Sequence, residues 1–405
     1  MTRLLCVLAC AFALTASATA AVAQQVITGQ TGSNAYYRIE VPPDWNGHLV
    51  IWNHEFDLSA PAPLGHDGLG PLADIQLAEG YAVAASSYRL SDWAVFETNT
   101  DLKNLYDIFR RKVGAPGQVI LTGASLGGIV TIEAVEQGNL GNVTGALTMC
   151  GPLAGSRNWD GALDMRLVYD AVCAGVPGAA IPGGAEGLPK NSTFSPADLQ
   201  SAIGACFQTA GGAARLAVFL GVTKIPPSFV ATDMAYVTFA MSNLVHDPRK
   251  LSGKVGTGNE LVDYGNAGIN ASIARVAPNP GAANKLDAFY TPTGDTHGAK
   301  VVSIHTDLDG FVIVENESEY AKLASPEDFT AAVVRESEPS HCGFTAAEAV
   351  AAWESLRAWL KGAPQPTPSS MQFTCNLLTS TFPGPCRIDP SFVVPDMDGR
   401  IRPRR

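Results

Sequence analysis

Residues 118–136, QVILTGASLGGIVTIEAVE, decide the fold of this chain. A short apolar, β-prone run leads into Gly123-Ala124-Ser125-Leu126-Gly127, and a segment that can form a helix follows from Gly128. A strand, a Gly-x-Ser-x-Gly turn and a helix make a nucleophile elbow, which exposes the serine hydroxyl at the strand's carboxyl end. The first turn of the helix then points its N–H groups at the place where an oxyanion would form. We predict that Ser125 is a nucleophile; the alternative is a serine in an ordinary glycine-rich turn.

Apolar runs of strand length recur on both sides of this elbow and alternate with segments of helical periodicity. The runs cover residues 36–41, 48–52, 81–86, 119–122, 145–149, 300–305 and 329–334, and the helical segments cover 100–112, 128–137, 317–323 and 344–361. Such alternation predicts an α/β fold with a mostly parallel sheet covered by helices on both faces. Thr345 and Glu348 have the spacing of a capping box at the start of the last helix. Loops at the carboxyl ends of the strands should converge on one site.

The alternation is interrupted between residues 154 and 299, a stretch rich in Gly, Pro and Ala. A disordered insertion is disfavoured there, because 165–169 and 229–241 are rich in apolar and aromatic residues. We predict a cap over the sheet. The predicted organisation is a signal peptide at 1–23, a core in two parts at 24–153 and 300–363, the cap at 154–299, and a Pro-rich tail at 364–405.

The first residues resemble an export signal. Met1-Thr2-Arg3 precedes an apolar run, and Ala21-Val22-Ala23 is typical of a cleavage site. We predict cleavage near Ala23 and a secreted or periplasmic protein; a lipoprotein signal ending at Cys10 is the less favoured alternative. A net charge of −11 argues against nucleic acid as a partner. No later segment has 18 uninterrupted apolar residues, so no membrane span is expected.

Six of the eight cysteines lie beyond the predicted signal peptide. An even number in an exported chain indicates disulfides, and six cysteines allow fifteen pairings. Cys375 and Cys386 flank a Pro/Gly-rich turn, and we predict that they pair. The sequence contains no Cys-x-x-Cys and no His-Glu-x-x-His, so it predicts no metal site and indicates no cofactor.

A serine nucleophile needs a base within hydrogen-bond reach, and the base needs a carboxylate that fixes its tautomer. After this kind of elbow the expected chain order is Ser, acid, His. Of the four later histidines, His341 alone follows the last predicted strand and precedes the closing helix. We therefore predict His341 as the base. Asp309 and Asp307 both follow the preceding strand, and we favour Asp309 because it opens the turn Gly310-Phe311-Val312.

The oxyanion hole and the substrate contacts leave less distinctive patterns in the sequence. Two backbone N–H groups should form an oxyanion hole, one from Leu126 and one from Glu55, in the loop after the run 48–52. Tyr88, Trp93 and Trp159 are candidates for contact with substrate, although such aromatic residues more often belong to the core.

These features resemble the α/β-hydrolase superfamily, in particular its exported serine esterases. The resemblance covers residues 36–152 and 300–361, and lies in the elbow, in Asp309-Gly310-Phe311-Val312, and in His341-Cys342-Gly343-Phe344-Thr345. A cysteine directly after the base histidine is also similar to tannases and feruloyl esterases, where a disulfide ties it to a cysteine preceding the nucleophile. Here Ala124 occupies that place. Esterases also commonly have His-Gly where this chain has His54-Glu55.

The resemblance implies an α/β-hydrolase fold with a large cap inserted before the acid-bearing strand. It also implies hydrolysis of a small or polymeric carboxylic ester through an acyl-enzyme, with Ser125, His341 and Asp309 as the triad. An apolar pocket for an aromatic or medium-length acyl group is expected under the cap. The alternatives are an amidase or peptidase acting on small acyl-amides, and a catalytically inactive hydrolase fold that only binds ligands.

Overall fold

The computed structural model describes residues 24–397, so the predicted signal peptide at 1–23 lies outside the described residues. An eight-stranded sheet runs through the molecule in the order β1-β2-β4-β3-β5-β6-β7-β8. The strands are β1 (Gln25–Gln30), β2 (Tyr36–Val41), β3 (Leu49–Asn53), β4 (Ala82–Ser86), β5 (Val119–Ala124), β6 (Val143–Met149), β7 (Lys300–Thr306) and β8 (Phe329–Val334). The pairs β1/β2 and β2/β4 are antiparallel, and β3 to β8 are parallel.

Thirteen α-helices lie within the described residues. They are α1 (Ala73–Ala78), α2 (Val95–Lys112), α3 (Leu126–Gln137), α4 (Arg157–Val172), α5 (Pro196–Phe207), α6 (Gly212–Thr223), α7 (Val230–Ala235), α8 (Met241–His246), α9 (Ala267–Ser272), α10 (Pro280–Tyr290), α11 (Asn316–Leu323), α12 (Ala346–Leu360) and α13 (Pro368–Leu378). A π-helical turn, Tyr236–Ala240, joins α7 to α8.

The sheet separates two hydrophobic cores. On one face, α2 and α3 bury residues such as Leu102 and Ile129 against the sheet. On the other face, α12 buries Trp353 and Leu356. The parallel strands are buried along nearly their whole length, which explains why they appear in the sequence as continuous apolar runs. The predicted α/β-hydrolase fold is confirmed.

The helix that closes the core begins as its sequence indicates. Thr345 Oγ1 accepts a hydrogen bond from the Glu348 N–H, and Glu348 Oε2 accepts one from the Thr345 N–H at 2.8 Å. This capping box fixes the start of α12 immediately after the loop that carries His341. The same Glu348 carboxylate binds the side chain of Arg387, so the C-terminal tail is held against the start of α12.

Among the elements that were not predicted are β1 and α13. The edge strand β1 is half exposed and has no continuous apolar run, so it lacks the pattern that marked the others. The helix α13 lies in the segment predicted only as a Pro-rich tail. It begins at Pro368 behind a capping box formed by Thr367 and Ser370, and it buries Met371 and Cys375.

The segment between β6 and β7 contains helices α4 to α10 and, within the described residues, no strand. It has its own apolar contacts, for example between Tyr169 of α4 and Phe219 of α6. None of the helices among residues 24–397 has by itself the length and apolar character of a membrane span. The pair α5 and α6 meets those criteria only when taken together, and it is bent by 106°.

Candidate functional site

Ser125 lies in the sharp turn between β5 and α3. Its φ is 52° and its ψ is −127°, a strained conformation for a residue with a side chain. The glycines on either side make the turn possible, because the backbone passes itself closely. A Cβ atom on Gly123 would lie 2.1 Å from the Gly127 carbonyl oxygen, and one on Gly127 would lie 2.0 Å from the Asn53 carbonyl oxygen. The Ser125 N–H donates to the Met149 carbonyl, which fixes the turn to the end of β6.

The structure brings Ser125, His341 and Asp309 into one hydrogen-bonded chain. His341 Nε2 lies 2.8 Å from Ser125 Oγ, and His341 Nδ1 lies 2.8 Å from Asp309 Oδ2. Ser125 follows β5, Asp309 follows β7 and His341 follows β8, so three loops at the carboxyl edge of the sheet supply one residue each. An imidazole placed between a hydroxyl and a carboxylate in this way can accept the hydroxyl proton during nucleophilic attack.

Asp309 is held rigidly by backbone donors. It is 1% exposed, and its Oδ1 accepts hydrogen bonds from the N–H groups of Phe311 and Val312, each at 2.9 Å. Its Oδ2 faces His341 and the Cys342 N–H. Oδ1 therefore fixes the loop after β7 that carries Asp309, which we call the acid loop. Oδ2 orients the imidazole of His341.

Asp307 faces away from this chain. Its Oδ1 accepts a hydrogen bond from the Glu336 N–H at 2.7 Å, and its Oδ2 lies 3.2 Å from the Arg335 guanidinium. These contacts connect the loop after β7 to the loop after β8. Asp307 thus supports the backbone near the site without contacting His341.

His305 is a second, fully buried histidine beneath the acid loop. Its Nδ1 lies 2.9 Å from Glu317 Oε1, and its Nε2 lies 2.7 Å from the Val312 carbonyl oxygen. Burial disfavours the protonated imidazole, but the hydrogen bond to Glu317, the charges of Glu317 and Asp309 and the hydrogen bond to the Val312 carbonyl together outweigh burial and raise the pKa of His305. Both ring nitrogens of His305 therefore have hydrogen-bond partners within the core, at the end of β7.

A disulfide joins the end of β6 to the loop after β8 that carries His341, which we call the base loop. Cys342, next to His341, pairs with Cys150, which directly follows Met149. The Cys150 N–H donates to the Ile304 carbonyl on β7 at 2.8 Å, so the anchor is itself fixed within the sheet. The resemblance to tannases places such a bond next to the nucleophile. In this chain the partner comes instead from the neighbouring strand.

Two further disulfides lie within residues 24–397, Cys173–Cys206 and Cys375–Cys386. The second agrees with the sequence prediction. The sulfur atoms of Cys150 and Cys342 lie within 4.8 Å of a ring nitrogen of His341, as metal ligands would. Because the two sulfurs are bonded to each other, they are not thiolates that can bind a metal.

The loop after β3 lies against the elbow. The buried Asn53 side chain donates to Thr131 Oγ1 at 2.8 Å, and Thr131 Oγ1 donates to the Gly127 carbonyl at 2.7 Å. Sequence reasoning missed both residues, although a polar residue at the end of an apolar strand is a usable signal. Leu126 is the first residue of α3, so its N–H has no acceptor within the helix. The Glu55 side chain is exposed, and the role of its N–H as the second donor stays a prediction.

A cavity of about 790 Å³ opens in front of Ser125. Ser125 and Leu126 lie in its wall, and the acid loop contributes Phe311. Most of the remaining wall belongs to the helical segment between β6 and β7. The volume is within the usual range for small-molecule sites. The expected apolar pocket is present only in part, because aspartate and glutamate side chains also line the cavity.

The three aromatic candidates have different positions. Trp93 lines the cavity. Trp159 is not among the lining residues; it lies behind Trp93, with ring centroids 4.5 Å apart. Tyr88 is fully buried and stacks on His54 at 4.1 Å, outside the cavity. Desolvation lowers the pKa of His54, so this pair stays neutral and acts as packing beneath the loop after β3.

Sequence reasoning did not identify Tyr236, which lies at the centre of a cluster of aromatic rings beside the cavity. We call this cluster, which consists of Phe56, Trp93, Trp159, Tyr236 and Phe311, the aromatic wall. Tyr236, in the π-helical turn, contacts the rings of Phe56, Trp93, Trp159 and Phe311, with centroids 4.5 to 5.9 Å apart. The Phe311 ring in turn meets His341 edge-on at 5.1 Å. π-Helical turns often occur at functional sites. The wall therefore extends from the helical segment to the imidazole.

No protein-family model and no curated protein matches the chain. Solved structures resemble it at low scores. Candida antarctica lipase A in its closed state is 11% identical over 88% of this chain and 86% of that chain, with a TM-score of 0.42. A membrane phospholipase A, described as a bacterial virulence factor, is 13% identical over 84% and 87%, with a TM-score of 0.40. An esterase from Pyrococcus furiosus is 12% identical over 89% and 91%, with a TM-score of 0.38. The fold assignment rests on this chain's own strand order.

Proposed function

We propose that this protein is a serine hydrolase that cleaves carboxylic esters through an acyl-enzyme. One observation carries the proposal: the hydrogen-bonded chain from Ser125 through His341 to Asp309 ends at a hydroxyl in the wall of the cavity. In this chain the imidazole can take the serine proton and the carboxylate can orient the imidazole, which is the arrangement that a serine nucleophile needs.

The proposed reaction has two halves. In the first, Ser125 Oγ attacks the ester carbonyl carbon while its proton passes to His341 Nε2, and Asp309 stabilises the imidazolium that forms. The carbonyl oxygen becomes an oxyanion, which the N–H groups of Leu126 and Glu55 would bind. The C–O bond to the alcohol then breaks, and His341 returns the proton to the leaving oxygen. In the second half, water attacks the acyl-enzyme by the same route and releases the carboxylic acid.

We further propose that the segment 154–299 is a cap that selects substrate and takes no part in bond breaking. Its support is that the segment forms most of the cavity wall, whereas the hydrogen-bonded chain belongs to core loops. Three disulfides within the described residues favour an oxidising compartment, and we propose that the protein acts outside the cytoplasm.

The test is covalent labelling with a serine-directed phosphonate. We expect the wild-type protein to be labelled at Ser125, Ser125→Ala to lose both labelling and hydrolysis, and the exposed-helix control Ser201→Ala to keep both. Full activity in Ser125→Ala would overturn the mechanism. A wild-type protein that is folded but neither labelled nor active would favour the ligand-binding alternative.

A matched substrate pair separates the ester proposal from the amidase alternative. The 4-nitrophenyl ester and the 4-nitroanilide of one acyl group differ only at the leaving atom. We expect the ester to be turned over faster, because the alcohol leaves more easily than the amine. Faster turnover of the anilide would replace the esterase proposal with an amidase.

A further inference from the structure

A buried network of polar side chains joins β7 to α11 beneath the acid loop. Ser303 and His305 lie two residues apart on β7, so their side chains point to the same face of the sheet. Both contact one oxygen of Glu317 on α11: Ser303 Oγ donates to Glu317 Oε1 at 2.7 Å, and His305 Nδ1 lies 2.9 Å from the same atom. Ser303, His305 and Glu317 are 0%, 0% and 1% exposed, so the network is shielded from bulk water.

The partners of His305 fix its protonation state. A neutral imidazole has one nitrogen that donates and one that accepts, whereas an imidazolium donates from both. The Val312 carbonyl, 2.7 Å from Nε2, can only accept, and Glu317, whose acid loses its proton at lower pH than an imidazolium does, accepts from Nδ1. With an acceptor at each nitrogen the ring is an imidazolium, and the raised pKa of His305 agrees with this assignment.

This cation lies next to the acid of the hydrogen-bonded chain. His305 Nε2 lies 3.8 Å from Asp309 Oδ2, and both side chains are fully buried. The same oxygen lies 2.8 Å from His341 Nδ1. Asp309 Oδ2 is thus placed between two imidazoles. One carries a fixed charge, and the other gains a charge only when it takes a proton, as it does from Ser125 during nucleophilic attack.

Charged groups face His305 from α11 and from the acid loop, through Glu317 and Asp309. The two neighbouring strands present uncharged residues. Val333 on β8 is paired with His305, and Met149 on β6 is paired with the residue before it. His305 is therefore a cation with two anionic neighbours, and one of these is the proposed acid of the triad.

Three further carboxylates belong to these elements or adjoin them. Glu319 on α11 binds Arg157, and Asp307 on the acid loop lies 3.2 Å from the Arg335 guanidinium. Glu315 is a buried residue at the N-cap of α11. All three are retained in the variants compared below, so a difference between those variants reports on the buried ion pair.

We infer that His305 is a positioning residue of the proposed ester hydrolysis: a fixed cation that holds the acid loop and offsets part of the charge of Asp309, so that hydrolysis continues at lower pH. The inference rests on the proposed function and adds a residue that acts through Asp309. Its two effects have separate contacts, one on the backbone of the acid loop and one on the Asp309 carboxylate.

The backbone contact passes through Val312. His305 Nε2 donates to the Val312 carbonyl, and the Val312 N–H donates to Asp309 Oδ1 at 2.9 Å. The charge contact acts at Oδ2. A cation there weakens the attraction between Asp309 and a protonated His341, so a more acidic solution is needed before the base is blocked. His305 keeps its proton throughout, and the proton of Ser125 still passes to His341.

The experiment removes the ion pair without leaving one buried charge alone. In the double variant His305→Gln with Glu317→Gln, both side chains stay polar and are neutral. kcat/KM for a neutral 4-nitrophenyl ester is measured from about pH 4 to about pH 9, with nitrophenol read at its isosbestic wavelength so that detection does not depend on pH. We expect the midpoint of the acidic limb to move to higher pH by on the order of one unit, because the cation beside Asp309 is gone.

Val302→Ala is the matched control. Val302 lies on the same strand but on its opposite face, in the core around Trp353, so its truncation weakens packing without contacting the ion pair. Its acidic limb should coincide with that of the wild type once rates are normalised to the folded fraction. A merely structural role of His305 would lower kcat/KM of the double variant at every pH and leave its limb in place.

If the double variant does not fold, Glu317→Gln alone takes its place. This variant deprives His305 of its counter-ion, so the ring loses its proton more readily and the acidic limb should move in the same direction.

The protonation of His305 is also measured directly in the wild type. Nitrogen-15 NMR of histidine-labelled protein distinguishes an imidazolium from a neutral imidazole. The chain has seven histidines, and the signal of His305 is identified by its loss in the double variant or by its shift in Glu317→Gln. We expect this signal to keep the form of an imidazolium at about pH 8, where ordinary histidines are neutral.

A neutral His305 at about pH 7 would overturn the inference, because a histidine at its ordinary pKa is already neutral there. An acidic limb that stays in place or moves to lower pH in a folded, active double variant would overturn it as well. Each of these results leaves the proposed hydrolase intact, since the ester is still cleaved. Failure of the proposed function has a different signature, namely no phosphonate labelling of Ser125 in the wild type.

Discussion

The sheet and the helical segment between β6 and β7 contribute to the site in different ways. The sheet supplies Ser125, Asp309 and His341 from loops that are fixed by backbone hydrogen bonds on both sides. The helical segment supplies most of the cavity wall through side chains on α4, the π-helical turn and the loop 256–265. Groups that must keep positions within a few tenths of an ångström thus lie at strand ends, and groups that decide what enters lie on packed helices and loops.

This division can be tested because each region offers matched residues. A substitution in the sheet's loops should change the rate of the chemical step. A substitution in the helical segment should change which substrate is preferred. The expected effects decrease from the acid loop, through the disulfides and the aromatic wall, to the side of the sheet away from the site.

The largest effect is expected at the acid loop. Asp309→Asn removes the charge that holds the imidazole of His341 and should lower kcat/KM by about 10³- to 10⁴-fold. Asp307→Asn should lower it by less than about tenfold, because the Asp307 side chain contacts Glu336 and Arg335 and not His341. Both rates are measured on the same 4-nitrophenyl ester. A larger loss for Asp307→Asn would reverse the assignment of the acid.

Removal of each disulfide in turn should distinguish an effect on the position of His341 from an effect on the stability of the fold. Replacing Cys150 and Cys342 by Ala frees the loop of His341 from β6, and a base displaced by about 1 Å can cost on the order of 100-fold in kcat. Replacing Cys173 and Cys206, which join α5 to the end of α4, should leave kcat within a few-fold. Each double variant should lose about 2–5 kcal/mol of unfolding free energy, measured by urea titration.

Equal losses of kcat in the two double variants would contradict this view of the Cys150–Cys342 bond. In that case the disulfide would stabilise the fold without positioning the base. The rate is normalised to the folded fraction at each condition, so that loss of stability is not counted as loss of catalysis.

The sequence predicted the sheet well because each core strand is a short apolar run bounded by turn residues. The elbow and the capping box of Thr345 and Glu348 are local patterns, so they were found without any tertiary information. Asp309 and His341 were chosen from their order along the chain. The structure places His341 beside Ser125, and Asp309 beside His341.

Features that depend on distant parts of the chain were missed. Cys150 and Cys342 are 192 residues apart, and nothing local indicates their pairing. The carboxylates of the cavity come from separate helices and loops, so the sequence does not show that they lie close together. It suggested an apolar pocket instead. The helix α13 was obscured by the Pro and Ser content of the tail, although Thr367-Pro368 is a typical helix start.

A substitution in the aromatic wall should change substrate selectivity more than it changes the rate of the chemical step. Tyr236→Leu removes ring contacts with Trp93 and Phe311, each of which contributes about 0.5–1.5 kcal/mol. We expect KM for an aromatic ester to rise by about tenfold while phosphonate labelling of Ser125 persists. Tyr236→Phe keeps the ring and is the matched control. Loss of labelling in a folded Tyr236→Leu protein would mean that the helical segment takes part in the chemistry.

The smallest effect is expected at Glu79, on the side of the sheet away from the cavity. Glu79 accepts a hydrogen bond from Trp353 Nε1 at 2.9 Å and lies 3.0 Å from the Arg357 guanidinium. Burial, together with a hydrogen bond to Glu354, raises its pKa from 4.5 to about 7. The folded protein therefore holds this proton more tightly than the unfolded chain does. Its contribution to stability is complete below about pH 4.5 and is lost as the pH rises through about 7.

Glu79→Gln should remove this part of the pH dependence, so that unfolding free energy changes less between pH 5 and pH 8 than in the wild type. Because the side chain is partly exposed, the difference should be on the order of 1 kcal/mol, below the full linkage value. The exposed Glu327→Gln is the control and should follow the wild type. Ester hydrolysis should be unchanged in both variants, since neither residue contacts the cavity or the loops that carry Ser125, Asp309 and His341. A changed kcat would show that the two sides of the sheet are coupled, and the division between chemistry and scaffold would have to be redrawn.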